Sequence, residues 1–173
     1  MEFIFETFYH QKALTVMARA LRKTVRKKRS HRSHIFGWIV VISGILLSIL
    51  SGDGNFAING RSIFTWLAIA VILIALICED ALNGYFARKR MLPGTEKAIS
   101  VFTSGGFTST TEIGKTEFHY DKILTLAETK EYFVFVFSMS HAQIYDKHSI
   151  SGGSADEFRE FIAAATGKVI ERI

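Results

Sequence analysis

Two stretches of this chain carry no charge at all, and they limit its fold more than any other feature. Residues 35–50 read IFGWIVVISGILLSIL and residues 63–78 read IFTWLAIAVILIALIC. Each has sixteen residues, which as a helix is about 24 Å long against a hydrocarbon core of about 30 Å. His34 and Ser51 extend the first run and Ser62 the second, so both reach a spanning length where the bilayer thins locally. Two buried core helices are the competing reading. A chain of 173 residues leaves too little to cover them. The connection 51–62 reads SGDGNFAINGRS, and Gly52, Gly54, Asn55, Asn59 and Gly60 are turn and loop residues. So short a link makes the two helices antiparallel neighbours. Trp38 and Trp66 each lie near the start of their run, where tryptophan marks opposite membrane interfaces.

Charge sets the orientation. The net charge is +5, and the cations are concentrated. Arg19, Arg22, Lys23, Arg26, Lys27, Lys28, Arg29 and Arg32 precede the first run with no acid among them. Arg88, Lys89 and Arg90 follow the second, and the connection offers only Arg61. Cytoplasmic flanks retain lysine and arginine, so both termini are expected in the cytoplasm and the connection outside. The start, MEFIFETFYHQK, lacks the basic n-region and small-residue cleavage site of a secretory signal. The expected location is a plasma membrane, crossed twice.

The flanking segments divide the chain. Residues 1–33 are expected to hold a strand and a basic amphipathic helix. The strand is 3–7, where Phe3 and Phe5 alternate with Glu2, Ile4 and Glu6, and it is expected to pair with the C-terminal sheet. The helix is expected over 8–29, with Leu14, Met17, Leu21 and Val25 on one stripe and Thr7 as its cap. That helix suits anionic head groups through Arg19, Arg22, Lys23, Arg26, Lys27, Lys28, Arg29 and Arg32. Its apolar stripe could equally pack on the cytoplasmic domain. The transmembrane hairpin takes 34–79, with spans of about 34–51 and 62–78. A juxtamembrane helix over 80–92 is expected to continue the second span until Pro93-Gly94 stops it. Glu79 and Asp80 read as solvated acids at the end of a span.

Residues 93–173 change pattern. Short strands are expected over 98–104, 107–112, 116–128, 131–138 and 141–147, with turns at Gly105-Gly106 and Gly114. Ser154 with Glu157 three residues on is a capping box. The helix it opens carries Phe158, Phe161, Ile162 and Ala165 on one face and stops at Gly167. The fold class is membrane α+β: a two-helix hairpin plus a small antiparallel β domain with a C-terminal helix.

The order of these parts resembles the YcxB-like family of bacterial membrane proteins. The similarity rests on Tyr120-Asp121-Lys122-Ile123, Glu128-Thr129-Lys130-Glu131-Tyr132-Phe133, Ile144-Tyr145-Asp146-Lys147 and the helix beginning Asp156-Glu157-Phe158. It extends over most of the chain. Ile144-Tyr145-Asp146-Lys147 departs from the pattern in lacking a proline before the lysine. The resemblance implies a PH-like (pleckstrin-homology-like) C-terminal domain and brings no enzyme activity with it.

The residues themselves offer no catalytic constellation. There is no G-x-S-x-G, and neither Gly105-Gly106 nor Gly152-Gly153 has the lysine spacing of a phosphate loop. His31 and His34 have a spacing that can share a metal, but they lie in a positive run with no carboxylate nearby in sequence. His141 and His148 flank a strand and read as exposed. Cys78 is the single cysteine, and at the end of a span it reads as a small apolar residue. No metal or other cofactor is expected. The expected partners are anionic lipids and a protein, and not nucleic acid. The expected role is a membrane-anchored binding or regulatory module without enzyme activity, or alternatively an immunity or stress-resistance protein against a membrane-targeting toxin.

Overall fold

The computed structural model describes residues 2–50 and 60–173. Most of the connection expected over 51–62, including Asn55, lies outside the described residues.

The fold begins with strand β1, Phe3–Phe8. It runs one residue beyond the stretch expected to be a strand. Phe3, Phe5 and Thr7 are buried while Ile4 and Glu6 are partly exposed, the period-two pattern of a strand with one face on a core. Four helices follow: α1 (Gln11–Lys23), α2 (Lys27–Leu50), α3 (Gly60–Ile77) and α4 (Glu79–Lys89). Only then do the next strands appear. They are β2 (Lys97–Thr103), β3 (Gly106–Thr111), β4 (Gly114–Phe118), β5 (Thr125–Glu128), β6 (Tyr132–Val136), β7 (Ala142–Asp146) and β8 (Ile150–Ser151). Helix α5 (Ala155–Thr166) and strand β9 (Ile170–Arg172) end the chain.

The strands form two sheets, ordered β4-β3-β2-β1-β8 and β7-β6-β5-β9. β1 lies inside the first. It pairs antiparallel with β2, Phe3 opposite Phe102 and Phe5 opposite Ser100, and with β8 on its other edge. The β domain is thus split, with the four helices inserted between its first two strands. The inner faces of both sheets and α5 share one core, built on Phe3, Phe5, Phe102, Phe133, Tyr145 and Phe158. The Phe5 ring meets Phe158 at 4.6 Å and Phe102 at 5.6 Å between centroids, both edge to face, an arrangement aromatic quadrupoles favour.

The second sheet is covered on its outer face as well. Ala13, Ala20 and Leu21 of α1 pack with Tyr132, Val134, Val136, Ala142 and Ile144. Burial on both faces explains why β6 reads YFVFV without alternation, with all five residues buried. The apolar stripe of the basic helix therefore covers the sheet.

Several expectations need correction. The helix expected over 8–29 starts at Gln11, because Phe8 pairs with Lys97 as the end of β1. Thr7 is therefore no cap; its Oγ1 accepts a hydrogen bond from the Asp146 amide instead. The helix also ends early, at a break over 24–26, where the Arg26 amide reaches the Leu21 carbonyl. Arg26 Nε then donates to the Met139 carbonyl, which ties the break to the β6–β7 turn. Lys27 to Arg32 consequently belong to α2. The juxtamembrane segment does not continue the second apolar helix: Ile63–Ile77 and Glu79–Lys89 meet at 81°. The strand expected over 116–128 is two strands, β4 and β5, separated by a 3-10 turn at Tyr120–Lys122. Tyr120 fixes that turn by donating its hydroxyl to the Thr103 carbonyl, 2.6 Å away. β8 and β9 were not anticipated. The C-terminal helix has the capping box at Ser154 and Glu157, and Gly167 ends it with φ 65°.

One described helix, over Lys27–Ile49 with mean hydropathy 1.6, is long and apolar enough to cross a membrane. α3 packs antiparallel beside it. Gly37 faces Leu76, where an added Cβ would come within 2.7 Å of Cδ2, and Gly44 faces Ile69. Small residues of this kind let two helices approach closely.

α1 and α4 approach more closely still. A Cβ on Gly84 would lie 2.7 Å from the backbone nitrogen of Thr15. In an open helix, replacing glycine by alanine stabilises by about 1 kcal/mol. Here we expect Gly84→Ala to lower the thermal midpoint of the full chain in detergent, since overpacking costs about 1–3 kcal/mol. A raised midpoint would show that α1 and α4 do not pack at this distance.

Candidate functional site

Two clusters of charged residues join separate elements of the fold. The first lies where α1, α2 and α4 converge. Arg22 donates to Asp80 through Nε and Nη2, at 2.6 and 2.7 Å. This is a two-point guanidinium–carboxylate pair, the geometry that makes such bonds strong. Arg19 adds a longer contact of 3.4 Å to the same carboxylate. Glu79 lies 3.8 Å from Arg22 and turns to α2, where the Ser30 hydroxyl donates to it at 3.0 Å and His34 Nε2 lies 2.7 Å away. The two acids read as solvated in the sequence are instead the links among three helices. The Asp80 side chain keeps only 13% of its exposure. His34, which has no carboxylate near it in sequence, has Glu79 beside it in space.

This accounts for the basic run residue by residue. Arg19 and Arg22 are engaged with Asp80, and Arg26 with Met139. Lys23, Lys27, Lys28, Arg29 and Arg32 are exposed and form no ion pair among the described residues. They lie at the end of α1 and over the first turns of α2, beside the apolar run. No acid occupies the first turn of α2, so a helix end that favours negative charge carries only cations. His31 is exposed next to them, and His141 and His148 are exposed on the β domain.

The second group is inside the β domain. Glu128, at the end of β5, is 5% exposed. Arg159 of α5 donates to it through Nε and Nη2 at 3.0 and 2.6 Å, and Lys147 hydrogen-bonds the same carboxylate. Lys147 also donates to the Thr129 carbonyl and lies 4.6 Å over the Phe133 ring. Burial pushes the Glu128 carboxyl up, but the bonds from Arg159 and Lys147 outweigh it and hold the group at about 2. The same pairing raises the Arg159 guanidinium. Glu128, Thr129, Lys130, Lys147, Arg172 and Ile173 line an open cleft of about 270 Å³. β7 ends beside it at Asp146, whose carboxylate accepts from the His148 amide. That local cap stops the strand where the expected proline is missing.

Residues 102–162 match a family model described as YcxB-like protein. Over these residues the chain is similar to that family. The match runs from the end of β2 into α5, so it falls on the β domain and leaves out the four helices, β1 and β9. Within the matched stretch lie Glu128, Lys147 and Arg159, the whole of this second group. No curated protein and no solved structure matches the chain.

The triad was not recognised in the sequence. Its one signal was a glutamate following an apolar pair in a strand, Leu126-Ala127-Glu128, a position that burial forbids to an unpaired acid.

A carboxyl held low in the folded state stabilises the fold above its unfolded value and loses that contribution as pH falls through its folded one. For Glu128 the window runs from about 4.5 down to about 2. Glu128→Gln removes the charge that Lys147 and Arg159 share, leaving Lys147 on the Thr129 carbonyl and Arg159 on Asp156, and is expected to lower stability, since breaking a buried pair is destabilising. We expect the wild-type thermal midpoint to fall steeply between these pH values and the variant, already lowered at neutral pH, to fall less. Parallel pH profiles would contradict the pairing.

Proposed function

We propose that the protein is a membrane-anchored binding or regulatory module without enzyme activity, holding its YcxB-like domain at the cytoplasmic face of a bacterial plasma membrane. In this reading α2 and α3 form a two-helix transmembrane hairpin, and both chain termini are cytoplasmic. The observation that carries it is the exposure of apolar side chains on both helices. Phe36, Leu47 and Ile49 of α2 are 63–69% exposed, and Phe64, Leu67 and Ile77 of α3 are 60–75% exposed. Side chains of this size do not remain in water on two adjacent helices; a continuous apolar surface that large marks contact with lipid or protein. The cations of α2 and α4 then lie at one end of the pair, which supports a cytoplasmic base. Lys23, Lys27, Lys28, Arg29 and Arg32 would contact anionic head groups, each contributing about 1 kcal/mol near the surface.

Strand order supports the PH-like reading of the β domain. β1 to β4 form one meander, β5 to β7 form another, and a helix follows them to close the core. Glu128, the buried charge of that domain among the described residues, is taken up by Arg159 and Lys147, which favours a structural role for it over chemistry. The binding partner of the domain is, in this reading, a protein or the membrane itself.

Topology reporters fused at Asn55 and at the C-terminus test the reading. We expect an extracytoplasmic signal at Asn55, a cytoplasmic one at Ile173, and retention of the protein in the membrane after a carbonate wash. Release by the wash, or a cytoplasmic signal at both sites, would contradict it.

A further inference from the structure

The helix with the clearest unpartnered face is α4. One side of it is fully used. Gly84 lies against Thr15 of α1, Gln11 donates to the Ala81 carbonyl at 3.3 Å, and Asp80 binds Arg22. Across the helix from these lie Leu82, Phe86 and Lys89, by the turn of about 3.6 residues. Phe86 is 49% exposed and Tyr85 beside it 53%, the two rings edge to face at 5.6 Å. Leu92, just past the helix end, is 64% exposed. Arg88, Lys89 and Arg90 are exposed too and form no ion pair among the described residues.

Two observations say what this side faces. The first is the bend of 81° between Ile63–Ile77 and Glu79–Lys89. If α3 crosses a bilayer near its normal, α4 lies close to the membrane plane. The second is Glu79, which reaches His34 at 2.7 Å, one residue before the apolar run of α2 begins. Phe86 is seven residues, about two turns, beyond Glu79 and on the same side of the helix. The Leu82–Phe86 side therefore turns toward the level at which α2 enters its apolar stretch.

We infer that α4 is an in-plane interfacial helix, its Leu82, Tyr85 and Phe86 set into the head-group boundary of the bilayer and Lys89 and Arg90 on the phosphates of anionic lipids. Aromatic rings and flanking cations on a helix lying in the membrane plane are the composition that this depth favours. This rests on the membrane reading of α2 and α3. α1 is sandwiched between α4 and the sheet, so α4 is the nearer of the two to the bilayer. The YcxB-like domain is then held by a layer, α1 on α4, that lies flat beneath the bilayer rather than by a free tether. Its orientation to the membrane is fixed.

The test uses the full chain reconstituted in phosphatidylcholine–phosphatidylglycerol vesicles, with lipid quenchers placed at shallow or deep positions on the acyl chain. The reporter protein carries Trp38→Phe, Trp66→Phe and Phe86→Trp; a second carries Tyr85→Trp instead. A control keeps Trp38 and replaces only Trp66. We expect both reporters to lose most of their emission to the shallow label and little to the deep one, with less loss in vesicles of phosphatidylcholine alone. Quenching of the Trp38 control with no quenching at position 85 or 86 overturns the inference and leaves the membrane reading standing. No quenching of any of the three overturns both. Equal quenching in neutral and anionic vesicles overturns the assignment to anionic lipid. Quenching that disappears as the protein-to-lipid ratio rises assigns the face to a second copy and overturns it too.

Discussion

Strand β1 is the constraint on which the rest of the structure depends. It is an interior strand, paired on both edges, and it brings Phe3 and Phe5 to the centre of the aromatic core. An interior strand cannot be added late to a finished sheet, because its neighbours would otherwise expose unpaired backbone groups. The chain must therefore leave the domain after Phe8, build four helices, and return at Lys97 to pair with the strand it left. This makes the helical insertion and the β domain a single body at their junction. The Tyr9 amide donates to the Glu96 carbonyl at 2.8 Å, closing the base of the loop that contains all four helices.

The second consequence concerns how the helices are fastened. A helical insertion joined through two connections could swing about them. Three devices prevent this. α1 covers the outer face of the second sheet, so it belongs to the domain's packing as well as to the insertion. Gly84 lets α4 approach the backbone of α1. Asp80 and Glu79 join α1, α2 and α4 through Arg22, Ser30 and His34. Partly buried pairs with two-point geometry hold position better than exposed ones, which contribute little. Together they connect the apolar helices to the β domain through close packing and oriented charge.

Much of this was legible in the sequence where the local pattern and the final environment agree. The alternation at Phe3 and Phe5 announced a strand with one buried face. Ser154 with Glu157, and Gly167, marked both ends of α5 because caps are local chemistry. The run at Tyr132–Val136 announced a strand, though only the structure shows that α1 is the reason it does not alternate. What stayed hidden depends on partners distant in the chain. Arg22 and Asp80 are 58 residues apart. β8 has two residues and β9 three, too short to stand out, and β9 owes its existence to parallel pairing with β5. The bend at Cys78 had a signal that could have been used. Glu79 and Asp80 are the acids that a helix favours in its first turn, so they marked a new helix rather than the tail of the old one.

Fragment stability tests most directly whether a single domain is divided by its helical insertion. Residues 93–173 alone lack β1 and the α1 cover of the second sheet. They are expected to show no cooperative thermal transition. Joining residues 2–23 to residue 93 through a flexible glycine–serine linker, which removes the apolar helices and α4, is expected to restore one. If 93–173 unfolds cooperatively on its own, at the same temperature as the joined protein, β1 and α1 are not part of the domain and the account is wrong.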